Sequence, residues 1–242
     1  MSSDPAIQRS LRRLKPEKHK EPLRARDRSE LTFFDQLQRP FPKLLLDTTV
    51  YIDEFQGTLP QEVEISLRPT EIWHSTVTES ELTALVGLLD PNHPNTRTAV
   101  QQVLASVERR PAHRILNPDR EVWREAGILV GLLARLQKYE KSEQQRVMND
   151  ALIFLSVAKY GCSVLTRNIS DFDLLMQLAP YDNPFSTPER KHFTYCRSRE
   201  PKTLDQIKLC SGSRRCSVHP ADPVPVPIPS VLHRESYFHP AA

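Results

Sequence analysis

The sequence predicts an α/β fold: a mostly parallel sheet of four or five strands with helices on both faces. Four short runs of apolar or β-branched residues favour strands, namely KLLL at 43–46, IWHSTV at 72–77, RILN at 114–117 and SVLT at 163–166. A fifth candidate strand is HFTY at 192–195. Longer segments with helical periodicity separate the first four runs. Strands that alternate with helices are typical of parallel sheets covered on both sides.

The predicted helices begin and end at residues suited to those positions. Pro94 and Pro118 fit the first turn of a helix, and Gly161 fits the position just after a helix ends. The predicted helices run from Thr48 to Phe55, from Thr78 to about Leu89, from Pro94 to Arg110, from Pro118 through an apolar-periodic stretch that includes Leu133, from about Lys141 to Tyr160, and from about Asp171 to Leu178.

Charge and proline divide the chain into three parts. Residues 1–43 carry a net charge of +5, residues 44–180 carry −5, and residues 181–242 carry +3. Nine of the 21 prolines lie in the last part, where they allow only extended or irregular backbone. We therefore predict a basic, weakly structured arm over 1–42 with a short amphipathic helix near its start, one globular domain over 43–180, and a proline-rich, disordered tail over 181–242.

No segment is expected to cross a membrane. The longest apolar runs, ILVGLL at 128–133 and ALIFLSVA at 151–158, are far shorter than the ~20 residues that a membrane-spanning helix needs. No signal peptide points to an oxidising compartment, so we expect reduced thiols and a cytoplasmic location.

Four acidic residues stand at the edges of apolar segments: Asp47, Glu81, Asp150 and Asp171. The ligand crevice of an open parallel sheet lies beyond the carboxyl ends of its strands, and Asp47 and Asp171 follow the first and fourth predicted strands. Asp150 lies on the rim of its helix's apolar face. Buried carboxylates repel one another, so a shared cation is the usual partner. Four carboxylates suit Mg²⁺ or Mn²⁺ better than Zn²⁺.

Three of these acids also have interpretations that involve no metal. Thr78 and Glu81 match a T-x-x-E capping box, in which the glutamate stabilises the start of a helix. Asp171 suits the first turn of a helix because of the helix dipole. Asp150 would also be compatible with a solvated helix flank. These alternatives remain open at the level of sequence.

Three segments together resemble the PIN domain of the VapC type, the toxin ribonuclease of bacterial type II toxin–antitoxin pairs. They are LLLDTTVYID at 44–53, STVTESELTALVG at 75–87, and NDALIFLSVAKYGCSVLTRNISDFDLL at 149–175. The T-R-N-x-x-D-F run is the most specific part of the match. The resemblance covers about residues 43–180 and implies a PIN-like three-layer fold.

The resemblance implies Mg²⁺-dependent cleavage of RNA phosphodiester bonds. It also implies a cognate antitoxin protein as partner and a homodimer. The family's metal-binding acids fall on Asp47, Glu81, Asp150 and Asp171, and its supporting polar positions fall on Thr48, Thr166 and Asn168.

Three nearby charged residues have less certain roles at this level. Arg167 is a candidate phosphate contact, with a solvated surface position as the alternative. Glu79 competes with Glu81, but the family pattern places its glutamate directly before leucine, as Glu81 is. We expect Asp173 to lie on the surface.

Competing functional classes fit the sequence less well. A catalytically silent PIN-like module that binds RNA or protein would not need all four acids. A phosphatase of the haloacid dehalogenase type needs D-x-D after its first strand, whereas Asp47 is followed by Thr48 and Thr49. A receiver domain needs paired acids and a late lysine that the sequence lacks.

Overall fold

A computed structural model of the chain describes residues 4–31, 33–34, 43–180 and 193–195. Within these residues, the strands form one parallel sheet with the order β3-β2-β1-β4-β5. The predicted α/β class is confirmed, and the arrangement is consistent with a PIN-like three-layer fold. The strands are Leu44–Leu46 (β1), Ile72–Ser75 (β2), Ile115–Leu116 (β3), Ser163–Thr166 (β4) and Phe193–Tyr195 (β5).

The helices follow the predicted order, with one addition. A helix over residues 61–67 was not predicted because Gly57, Pro60 and Pro69 indicate a loose stretch, yet Val63 and Leu67 bury their side chains against the sheet. The short helix predicted in the N-terminal arm is also present. The helices are Pro5–Leu14 (α1), Thr48–Phe55 (α2), Gln61–Leu67 (α3), Thr76–Leu88 (α4), Thr96–Glu108 (α5), Arg120–Gln137 (α6), Lys141–Tyr160 (α7) and Ile169–Leu178 (α8).

Local capping interactions set the ends of the helices that carry the acids. The Ser75 hydroxyl accepts a hydrogen bond from the backbone N–H of Val77, which makes Ser75 the N-cap of α4. Glu140 and Glu143 form a capping box at the start of α7. Gly161 ends α7 with a φ of 65°, a left-handed conformation that glycine adopts without strain. This confirms the predicted terminator.

Alternating strand residues face two separate hydrophobic cores. Leu45 and Val164 pack in the core formed with α6, α7 and α8. Leu44, Leu46 and Leu165 point the opposite way and pack with α2 to α5. This alternation is the two-residue period of a strand covered on both faces. The sheet is therefore the middle layer of three.

The N-terminal arm packs against the domain rather than lying apart from it. The predicted amphipathic helix is present as α1, and Leu14 is fully buried in the core beside α6. Ser10 donates a hydrogen bond to the buried carboxylate of Glu125, and Arg26 forms an ion pair with Asp173. Over residues 4–31, this packing differs from the weakly structured arm that the basic composition led us to expect.

The remaining predictions about the ends of the chain are tested only in small part. Residues 181–192 and 196–242 of the predicted tail lie outside the described residues, so the disorder of the tail stays a prediction. Of the predicted strand HFTY, the structure has Phe193–Tyr195 paired with β4. Across the described segments, no helix combines the length and the apolar character required to traverse a bilayer.

Candidate active site

Asp47 lies where β1 ends, beside the end of the neighbouring strand β4. Its backbone N–H donates to the carbonyl oxygen of Leu165 over 3.0 Å, which continues the pairing of the two strands. Its Oδ2 accepts hydrogen bonds of 2.7 Å from the hydroxyls of Thr49 and Thr166. The side chain is buried. Burial raises the pKa of Asp47, and the two hydroxyl donors oppose that rise.

Glu81 faces Asp47 from helix α4. One carboxylate oxygen accepts a hydrogen bond from the Thr48 hydroxyl, and the other accepts one of 2.8 Å from the side-chain amide of Asn149. Burial raises the pKa of Glu81, and the charge of Asp47 raises it further. Because α4 begins at Thr76 with Ser75 as its N-cap, Glu81 is not part of a capping box. The side chain instead joins α2, α4 and α7.

Asp150 lies on α7, close enough to the other three acids to be affected by their charges. It lies between the buried residues Val147 and Phe154, and only 7% of it is exposed, which excludes the solvated flank considered above. Burial raises its pKa well above the usual range, and the charges of Asp47, Asp171 and Glu81 raise it further. The Arg146 guanidinium acts in the opposite direction.

Asp171 lies in the first turn of α8, as the helix-dipole interpretation requires, but it also belongs to the acidic cluster. Asn168, the N-cap of α8, uses its side-chain amide to donate to Asp150 Oδ2 over 3.1 Å and to Asp171 Oδ2 over 2.9 Å. One amide group thus bridges two carboxylates from different helices. Arg146 donates to the same Asp171 oxygen and forms an ion pair with it.

The four carboxylates form one buried, electrostatically connected group. The charges of the other three acids raise the pKa of Asp150, and the charge of Asp47 raises the pKa of Glu81. Buried like charges are unfavourable unless positive charge or hydrogen-bond donors compensate them. Oxygen atoms of this type are the ligands that hard divalent cations prefer.

The donor chemistry therefore fits Mg²⁺ or Mn²⁺, but the spacing does not define a coordination shell. In the part of the chain that the structure describes, no three carboxylate, imidazole or thiolate groups are placed to hold a metal ion. The carboxylate oxygens are instead held by protein donors, which are Thr48, Thr49, Arg146, Asn149, Thr166 and Asn168.

Three charged residues near the motifs lie elsewhere in the structure. Arg167 forms an ion pair with buried Asp53, and its side chain is only 11% exposed. Glu79 pairs with Arg110 at 3.5 Å rather than with the acidic cluster. Asp173 is buried, not on the surface as expected, because Arg26 of the arm covers it.

Sequence reasoning missed two residues that contact the site. Asn149 immediately precedes Asp150, and Arg146 lies one helical turn before it. Residues four apart share a helix face, so this spacing was the available signal for Arg146. The spacing did not predict a contact for Arg146, because a polar residue near the start of an amphipathic helix normally indicates the solvated side.

Comparisons with known proteins add little to this description. No family model matches the chain, and no curated protein matches it either. A solved structure described as FitAB bound to an IR36 DNA fragment matches with a probability of 1.00, 23% sequence identity and a TM-score of 0.39. The match covers 55% of this chain and 90% of the other. A similarity of this degree carries no weight for the activity.

Proposed function

We propose that the chain is a metal-dependent endoribonuclease and the toxin component of a type II toxin–antitoxin pair. The observation that carries the proposal is the convergence of four carboxylates, from four separate segments, at the carboxyl edge of the parallel sheet. The resemblance of the flanking segments to the VapC-type PIN domain supplies the chemistry. The four acids are Asp47, Glu81, Asp150 and Asp171.

In this proposal the acids hold the metal and do not attack the substrate. Mg²⁺ or Mn²⁺, when bound, supplies a Lewis acid that polarises the scissile phosphate and lowers the pKa of water for in-line attack. Thr48 and Asn149 orient the Glu81 carboxylate, and Asn168 orients Asp150 and Asp171.

RNA must be attracted to a domain that is itself acidic. The arm packed against the domain presents several exposed basic side chains that could contact phosphates. Such contacts release counterions, so RNA binding should weaken steeply as salt rises. These exposed residues are Arg12, Lys15, Lys18, Lys20, Arg24 and Arg28.

Cleavage of RNA by purified protein tests the ribonuclease proposal. We expect cleavage with Mg²⁺ or Mn²⁺ but not with EDTA, and we expect Asp47→Asn and Asp150→Asn each to abolish it. Asp119→Asn is a matched control because Asp119 is a half-exposed N-cap residue of α6 and asparagine also serves as an N-cap. Metal-dependent cleavage that survives both site variants would overturn the assignment of the site.

Growth of cells that express the chain tests the toxin proposal separately. We expect induced expression to stop growth, Asp150→Asn to restore it, and co-expression of a cognate antitoxin protein to restore it as well. The implied homodimer is tested by light scattering of the purified protein. If cells that express the active enzyme grow normally, the toxin proposal is wrong and the ribonuclease proposal still stands.

A catalytically silent PIN-like module that binds RNA or protein is the second candidate. The ion pair between Arg146 and Asp171 favours it, because a guanidinium can compensate part of the negative charge without a metal. The two candidates differ in metal binding. A silent module would bind RNA without cleaving it and would show no change in melting temperature with Mg²⁺ or Mn²⁺.

A further inference from the structure

Arg146 connects the acidic cluster to the solvent. It lies four residues before Asp150 on α7, so both side chains project from the same helix face. Its Nη1 donates to Oδ2 of Asp171. The Arg146 side chain is 51% exposed, whereas that of Asp171 is 3% exposed. The guanidinium therefore lies between a buried carboxylate and the solvent.

This ion pair is distinctive within the described chain. Among the salt bridges between described residues, this is the one that includes a site acid. The neighbouring Arg167 is held by buried Asp53 and is largely shielded from solvent. Arg146 can therefore exchange its contact with Asp171 for another partner without first leaving a buried position.

We infer that Arg146 is a substrate-positioning residue that releases Asp171 and binds a phosphate of the RNA when a divalent cation occupies the acidic cluster. This inference rests on the proposed function. A divalent cation held by Asp171 would compete for the oxygen that Arg146 now contacts, and it would also repel the guanidinium. A released, solvent-exposed guanidinium matches a phosphate, which it can contact through two parallel hydrogen bonds.

If Arg146 exchanges Asp171 for a phosphate, substituting Arg146 should affect Mn²⁺ binding and RNA binding in opposite directions. Removing the guanidinium removes a competitor of the metal, so Arg146→Gln should bind Mn²⁺ more tightly. The same substitution removes a phosphate contact, so it should bind RNA more weakly. A residue that only supported the fold would weaken both interactions together. The opposite directions therefore distinguish positioning from a structural role.

The test measures both affinities on the full chain. Mn²⁺ binding is titrated without RNA, and binding of a short, labelled single-stranded RNA is titrated with Ca²⁺ in place of Mg²⁺ over a range of salt. For Arg146→Gln we expect about threefold tighter Mn²⁺ binding and roughly tenfold weaker RNA binding. The slope of log affinity against log salt should fall by about 0.7, the value for one phosphate contact to a single strand.

Two further variants complete the test. Arg146→Lys keeps the charge but loses the planar fork, so it should keep most of the salt slope while binding RNA less tightly than the wild type. Arg97→Gln removes an exposed arginine from α5, outside the site, and should change neither affinity appreciably. Circular dichroism establishes that each variant is folded.

Failure of this inference differs from failure of the proposed function. If the wild type cleaves RNA with metal but Arg146→Gln keeps its RNA affinity and salt slope, the role of Arg146 is wrong and the ribonuclease stands. Loss of Mn²⁺ and RNA affinity together in Arg146→Gln would also overturn it. If the wild type binds neither Mn²⁺ nor RNA, both proposals are wrong.

Discussion

The Asp150 side chain bears an electrostatic penalty in the folded protein. It is buried, and three other carboxylates raise its pKa in addition to the effect of burial. An acid whose folded pKa exceeds its unfolded pKa holds its proton more tightly in the folded protein, so ionising it favours the unfolded state. Without a cation, the site therefore opposes folding at neutral pH. Active sites commonly retain such unfavourable groups.

The substitution Asp150→Asn should accordingly stabilise the metal-free protein. Asparagine keeps the shape and can accept from the Asn168 amide, but it removes one of four mutually repelling charges. We expect the melting temperature in EDTA to rise by roughly 2–4 °C, which corresponds to about 1 kcal/mol for a domain of this size. Differential scanning calorimetry measures it. An unchanged or lower melting temperature would show that Asp150 is not under electrostatic stress.

The loss of stability caused by ionising these acids should depend on pH in a defined direction. Asp47, Glu81 and Asp150 all have raised folded pKa values. Below the unfolded values near 4 these acids are protonated in both states and contribute nothing. As pH rises from about 4 through the folded pKa values, the unfolded state loses its protons before the folded state does. The free energy of unfolding therefore falls over this range.

Urea unfolding in EDTA at several pH values between about 5 and 8 tests this direction. We expect the free energy of unfolding of the wild type to decrease relative to that of Asp150→Asn as pH rises through this range. The comparison cancels titrations elsewhere in the protein, including those of carboxyls with lowered pKa such as Asp119. A wild-type stability that rises relative to the variant would contradict the raised pKa of Asp150.

Secondary structure was predictable where local signals were strong. The bounds of α2 and α7 agree with prediction, and the end of α7 was predictable because Gly161 follows it directly. Helix α3 was missed because the prolines around it indicate a loop, while tertiary burial of Val63 and Leu67 stabilises a short helix. Propensity is a weak guide when packing opposes it.

The site was predictable as far as its acids and, through the family resemblance, the polar residues Thr48, Thr166 and Asn168. Each acid follows or interrupts an apolar segment, which signals a carboxylate near the core. The donors Arg146 and Asn149 gave no such signal, because both are ordinary residues of a helix surface in sequence. Asp173 was wrongly expected on the surface because its partner, Arg26, is 147 positions away along the chain. Long-range pairing of this kind has no local signature.

The contact between the arm and helix α8 should contribute measurably to stability. Arg26 donates to Asp173 through both its backbone N–H and its guanidinium, over 2.9 and 2.5 Å. Breaking a buried ion pair typically destabilises a protein by about 3–5 kcal/mol. Since Arg26 itself is partly exposed, we expect Arg26→Ala to lower the free energy of unfolding by about 3 kcal/mol or less.

A double-mutant cycle separates this contact from general packing. Asp173→Asn removes the buried charge that Arg26 compensates, so the effect of Arg26→Ala should be much smaller in that background. Chemical denaturation of the four proteins gives the coupling energy. Additive effects of the two substitutions would mean that the arm does not stabilise α8 through this pair.

Across the whole molecule, charge is divided between an acidic domain and a basic arm. The arm's buried contacts leave several lysines and arginines exposed, and these form a basic surface that is chemically distinct from the acidic cluster. If the arm attracts RNA and the cluster binds metal, the two functions should be separable by substitution.

Replacing three arm lysines by glutamine tests this separation. The triple variant Lys15→Gln, Lys18→Gln, Lys20→Gln should bind single-stranded RNA more weakly, with the salt slope reduced by about 2 if all three contact phosphates. Its affinity for Mn²⁺ should equal that of the wild type. Fluorescence anisotropy measures the RNA affinity. Unchanged RNA binding would exclude these three lysines from the phosphate contacts.

Direct measurement of Mn²⁺ binding tests the central claim, that the four carboxylates form a metal site. Electron paramagnetic resonance reports free Mn²⁺ as the protein is titrated, without any need for RNA or activity. The account predicts saturable binding by the wild type, strong loss of binding in both Asp47→Asn and Asp150→Asn, and wild-type binding in Asp119→Asn. Mn²⁺ binding that is absent in the wild type, or unchanged in both site variants, would contradict it.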